Sequence, residues 1–268
     1  AYATGNLGDL KEVALNLYKK SQRRMLDFCL TGEGLIRGDR MYTFFEFITA
    51  GKKFEDIGNL KLAFVATDAL TGKEVVIEKG SIAKALEITT ALPGLAPLKR
   101  HEGRLVFDGG TAMMVPAKIA YDLGAEKVIA VDVGANRSLV TRFLGDTRQM
   151  MRNTRIGKMA KPIFEAQEKI KNSDEHNFLG KARELMQKLQ LLDDYKKDQF
   201  SFLEAYLIGL RVISSDYRRG IFLDGDADVS IRPEVFHIKR SDVSKIKELI
   251  KEGRKAIEKE IDGIIKLF

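Results

Sequence analysis

The residues best suited to do chemistry are Asp108-Gly109-Gly110, which follow the short apolar run Leu105-Val106-Phe107. An acidic residue where a strand of an open α/β sheet ends stands on the edge where such sheets build their sites. Two glycines after it permit close backbone approach, so its carboxylate can face a cleft with little steric cover. Burial would raise the pKa of such a carboxylate, and an adjacent hydroxyl nucleophile could use it as general base. The competing structural role is the start of a tight turn, a frequent duty of Asp-Gly.

Other residues offer less. His101, His176 and His237 lie far apart, in no metal-ligand spacing. Asp132 also ends an apolar run and so faces the same edge, but a helix cap or loop carboxylate is the better account of it. Gly32-Glu33-Gly34 has neither the preceding strand nor the lysine of a phosphate loop. Ser81 and Ser138 stand outside any Gly-x-Ser-x-Gly elbow, and no such elbow occurs in the 268 residues.

Several elements must position these groups. Leu10, Val13, Ala14, Leu17 and Tyr18 recur at helical spacing over Asp9 to Lys20, with Asp9 and Glu12 at capping-box distance. A Gly-rich loop follows, then a helix from Asp39 to Ile48. Leu62 to Thr67 is a continuous apolar run, the pattern of a strand buried on both faces. Asp68-Ala69-Leu70-Thr71-Gly72 is turn chemistry, and Glu74 to Glu78 completes a hairpin. Ser81 caps a helix running to Thr89, closed by Pro93-Gly94. After the Leu105–Phe107 strand, Pro116 opens a helix that Gly124 ends, and Val128 to Val133 forms another buried strand. Strand, helix and strand in that order predict a βαβ unit with parallel pairing.

Beyond it the pattern is helical from Leu144 to about Phe200. Its front is basic: Arg142, Arg148, Arg152, Arg155, Lys158 and Lys161 face only Asp146. Sheet character returns at Ala227 to Pro233, and an amphipathic helix spans Ser241 to Phe268. The reading is an α/β domain interrupted by a helical insertion, with a core at 1–143, an insertion at 144–200 and a return to the core at 201–268.

Composition narrows the function classes. The chain is 44% hydrophobic with a formal charge of +7, ordinary for a folded protein. A lone Cys29 excludes a disulfide framework and a Cys-rich metal site and suits a reducing compartment. No apolar run reaches the roughly 18–20 residues of a membrane span, and no signal-peptide pattern is visible. The sequence pI near 9.3 suggests an anionic partner, but no nucleic-acid-binding motif accompanies it, so no nucleic acid is expected. The expected location is cytoplasmic, with peripheral membrane contact through Arg142 to Lys161 as one reading. A lid over the site and a solvated helix are the other readings of that segment.

Taken in order, the motifs resemble those of patatin-like phospholipases. Phe64-Val65-Ala66-Thr67-Asp68 with Thr71-Gly72 comes first, then Gly80-Ser81-Ile82-Ala83-Lys84-Ala85. Ala91-Leu92-Pro93-Gly94-Leu95-Ala96-Pro97 and Gly103 to Gly110 follow. Val115-Pro116, Leu123-Gly124-Ala125 and Val128 to Val133 continue the series, which returns at Ala227 to Pro233. The resemblance implies a three-layer α/β/α fold with a mainly parallel central sheet. It implies a lipid acyl hydrolase, of phospholipase A or carboxylesterase type, working through a Ser–Asp dyad without cofactor or metal.

The dyad base then maps to Asp108, with Gly109 and Gly110 as its motif. In relatives, residues like Tyr2-Ala3-Thr4-Gly5 follow the nucleophile elbow closely, so the serine is expected a handful of residues before Ala1. The oxyanion loop should precede it, and the 268 residues alone are expected to be inert. Met113 and Met114 stand where relatives often carry Asn before the Val-Pro step. The alternative function is a non-catalytic binding or interaction protein built on a truncated scaffold of this kind.

Overall fold

The computed structural model describes residues 1–16, 37–133, 209, 227–235, 237–238 and 242–268. The basic segment Arg142 to Lys161, the 144–200 insertion, Cys29, His176, Ser138 and Gly32-Glu33-Gly34 lie outside them.

The centre is a four-stranded sheet in the order β2-β1-β4-β3. Its strands are β1 (Phe64–Asp68), β2 (Glu74–Ile77), β3 (Lys99–His101) and β4 (Arg104–Asp108). All three pairings are antiparallel. The apolar run containing β1 becomes an interior strand between β2 and β4. Its partner β2 returns through a turn in which Asp68 Oδ1 accepts the Leu70 and Thr71 N–H groups at 2.9 and 2.7 Å. That is the Asx-type chemistry the Asp-Ala-Leu-Thr-Gly stretch predicts.

Helix α3 (Ile82–Thr89) lies on one face of the sheet. Ser81 is extended and accepts the Lys84 N–H at 3.2 Å, which satisfies one orphan donor of the first turn. Ile82, Ala85 and Ile88 meet Ala66, Val75, Ile77, Val106 and Phe54 in the main core cluster. Helix α2 (Asp39–Thr49) packs Phe45 and Ile48 against Ala83 on the outer side of α3. Phe107 and Leu105 join Ala69 and Leu98 in a second cluster. Phe107 and Val106 are completely buried.

The sheet differs from the expected βαβ unit. β4 enters from β3 through Glu102-Gly103, whose φ values of 48° and 77° are the paired left-handed conformations of a two-residue hairpin turn. A hairpin imposes antiparallel pairing, and β4 continues that sense against β1. Strand β5 (Ile129–Val131) pairs in parallel instead with β6 (Val229–Ile231), forming a separate two-stranded sheet. The fold is therefore α/β with a central sheet that is antiparallel where it is described, not mainly parallel.

Helix α4 (Ala117–Asp122) precedes β5 and stops at Gly124, where φ is 95°. Helix α5 (Ile246–Ile265) covers β6, with Val229 and Ile231 buried against Ala256. The N-terminal helix α1 runs Leu7–Leu15 with Asn6 at its N-cap position. Asp9 thus lies inside the first turn rather than capping it, and no side-chain cap forms.

Candidate functional site

β4 delivers Asp108 to the end of the central sheet, where the chain turns into a short 3₁₀ stretch, Gly109–Thr111. Asp108 caps that stretch: its Oδ1 accepts the Gly110 N–H at 2.7 Å. This bond ties the carboxylate to the turn it caps. The side chain is partly exposed, between the fully buried Phe107 and the buried Gly109. The turn reading of Asp-Gly-Gly is thus realised, and the turn leaves Asp108 partly exposed.

The two glycines are not equivalent. A Cβ on Gly109 would overlap the carbonyl group of Val65 in β1. On Gly110 it would stand 3.0 Å from Asp108 Oδ1, the end of a side chain that can rotate. Gly109 is where close backbone approach is needed, because the turn lies directly on β1. The Val65 carbonyl that Gly109 crowds also accepts the Thr89 hydroxyl at 2.6 Å, so the end of α3 holds the same point.

Thr67 of β1 completes the support. Its Oγ1 donates to the Asp108 carbonyl at 2.7 Å and accepts the Ala112 N–H at 3.1 Å. It therefore clamps both sides of the Gly109–Thr111 turn. Thr67 is fully buried, and both its donor and its acceptor function are used, as a buried hydroxyl requires. The Asp108 N–H donates to the Ala91 carbonyl at 3.1 Å, tying the motif to the Ala91–Pro97 loop.

The remaining candidates fall elsewhere. Asp132 is buried at the end of β5, and its N–H donates to the Ile231 carbonyl at 2.9 Å. It belongs to the two-stranded sheet, whereas Asp108 belongs to the four-stranded one. His101 is in β3, and His237 is exposed, with Nε2 2.9 Å from Glu248 Oε1. Ser81 is occupied as a helix cap. Met113 and Met114 are half-buried just after the turn. At the N-terminus, Thr4 is buried and its hydroxyl donates to the Ile48 carbonyl at 3.2 Å, while Lys52 Nζ donates to the Thr4 carbonyl at 3.0 Å. The Tyr2–Gly5 stretch is thereby pinned to the end of α2. Among the described residues, no group of three His, Cys, Asp or Glu side chains could hold a metal ion, and no helix is long and apolar enough to cross a membrane.

Thr67 is the residue that sequence reasoning left without a role. Its signal was a hydroxyl inside an otherwise apolar strand run, which β-propensity explains without any function.

The described chain is thus an α/β protein in which an interior strand ends in a carboxylate held on a tightly seated glycine turn. No family model matches the chain. Over 137 residues it is 26% identical to NTE family proteins of Mycobacterium tuberculosis and Mycobacterium bovis, a match covering 51% of this chain and 38% of theirs. Over 98 residues it is 33% identical to patatin-like phospholipase domain-containing protein 6 of human and mouse, covering 36% of this chain and 7% of that protein. The chain thus spans less than two fifths of the length of these curated relatives. Among its relatives the chain is thus similar to NTE family and patatin-like proteins.

Proposed function

We propose that this chain carries the base-bearing half of a lipid acyl hydrolase that works by a Ser–Asp dyad. The observation that carries the reading is the Asp108 carboxylate, held at 2.7 Å by the Gly110 N–H on a turn seated against β1. The names of its relatives support the substrate class. The 268 residues contain no Gly-x-Ser-x-Gly elbow, so in this reading the nucleophile is supplied by a segment outside them.

The chemistry then runs in two halves. The serine Oγ forms a bond to the ester carbonyl carbon as its proton passes to the Asp108 carboxylate. The carbonyl π pair moves to oxygen, where backbone N–H groups stabilise the oxyanion. Collapse of this intermediate breaks the bond to the leaving alkoxide, which takes the proton from Asp108 and departs as an alcohol. Water repeats the sequence on the acyl-enzyme, giving a carboxylic acid and restoring the serine and the carboxylate. An anchored aspartate suits this double duty because the same carboxylate must meet the attacking and the departing oxygen.

The test is hydrolysis of p-nitrophenyl esters and phospholipids by the polypeptide that includes the serine, beside its Asp108→Asn variant. Loss of general-base assistance should lower kcat by roughly 10²–10⁴-fold. Equal activity in the two proteins overturns the assignment.

A further inference from the structure

We propose that Thr67 is the positioning residue of this site, aiming the Asp108 carboxylate by clamping the turn that carries it. The inference rests on the dyad reading and adds to it a residue on another strand. Three observations converge on Thr67. Its side chain is completely buried in β1, next to β4 in the sheet. Its one hydroxyl spans the Gly109–Thr111 turn, donating to the Asp108 carbonyl and accepting the Ala112 N–H. The same strand supplies the Val65 carbonyl against which Gly109 lies with no room for a Cβ.

The turn is therefore held from beneath at three places along its length: Asp108, Gly109 and Ala112. The direction of the carboxylate depends on this seat. The bond from Gly110 to Oδ1 is internal to the turn, so it moves with the turn and cannot register it against the sheet. The contacts with β1 and with the Ala91 carbonyl do that. Among those from β1, the Thr67 hydroxyl is a side-chain contact, and a substitution can remove it. Displacement of a catalytic group by about 1 Å can cost on the order of 10²-fold in rate.

Thr67→Val keeps the shape and removes the hydroxyl, leaving the Ala112 N–H and the Asp108 carbonyl without that partner. Thr67→Ser keeps the hydroxyl and loses a methyl group. In the serine-containing polypeptide, with active sites counted by a fluorophosphonate probe, Thr67→Val should lower kcat by roughly 10- to 100-fold with little change in KM. Thr67→Ser should remain within a few-fold of the parent. A purely structural role would lower the number of titratable sites and leave kcat per site unchanged. If Thr67→Val does not accumulate as folded protein, Thr67→Cys takes its place, since a thiol fits the space but is a weak donor and acceptor.

A kcat per site at the parental level in Thr67→Val or Thr67→Cys overturns the proposal, as does a Thr67→Ser enzyme as impaired as the valine variant. Either result leaves the dyad standing so long as Asp108→Asn is inactive. An active Asp108→Asn enzyme removes the dyad reading itself.

Discussion

The turn at Asp108 presses Gly109 onto the Val65 carbonyl while leaving Gly110 against a movable carboxylate. Added methyl groups at the two positions should therefore behave differently. Gly109→Ala must push β4 away from β1 or distort the turn, and overpacking of this kind costs about 1–3 kcal/mol or more. Gly110→Ala asks for a rotation of Asp108 that gives up its bond to the Gly110 N–H, and should cost about 0.5–1.5 kcal/mol, less than Gly109→Ala. Urea midpoints of the two variants check this, and equal midpoints would show that the turn is not seated as described. At this scale Asp108 is legible in sequence, because an acidic residue and two glycines after an apolar run have few uses. The strictness of Gly109 is not legible. It comes from a carbonyl in another strand, and no local pattern reports a contact made across the sheet.

The elements were legible wherever local chemistry decides them. Ser81 announces α3, and the Asp68–Gly72 turn announces the β1–β2 hairpin. The short strand β3 was missed because Lys99-Arg100-His101 has no apolar alternation, and it is a strand only through pairing with β4. The same omission produced the wrong expectation for β4. Without β3 the chain reads as strand, helix, strand and hence parallel, whereas the Glu102-Gly103 turn gives β4 an antiparallel neighbour in β3, and β1 takes its other edge. α3 offers a direct check on how much a cap contributes here. Ser81→Ala removes the acceptor of the Lys84 N–H and should lower stability by about 1 kcal/mol, within the usual 0.5–2 kcal/mol of lost caps. Ser81→Asp should restore most of it. A melting temperature unchanged in Ser81→Ala would mean that the first turn is held by packing of Ile82 and Ala83 alone.

For the molecule as a whole, the question is what brings β6 back to β5 from far along the chain. Apolar burial of Val229 and Ile231 against α5 supplies one part. Asp228 supplies the register. Its carboxylate accepts from the Tyr121 hydroxyl of α4, from the Val128 N–H at 2.8 Å and from Lys127 Nζ at 3.0 Å. One side chain thus joins α4, the start of β5 and the start of β6. These bonds, the Tyr121 hydroxyl foremost, with the Val128 N–H and Lys127, hold its pKa down at about 2, against an ordinary 3.8. A depressed carboxylate pKa contributes stability that is present above the unfolded value and is lost as pH falls through the folded one. The contribution of Asp228 should therefore be whole at pH 5 and above, decline below about pH 4, and vanish below about pH 2. Thermal melts of the parent and of Asp228→Asn between pH 6 and 2 isolate this group from the other carboxylates, which titrate in both proteins. The asparagine variant should melt lower at pH 6, with the gap closing as the pH approaches 2. Exchange of the Val128 amide should quicken in the variant at pH 6. A gap that stays constant across this range would mean that Asp228 holds the strands by shape and not by charge.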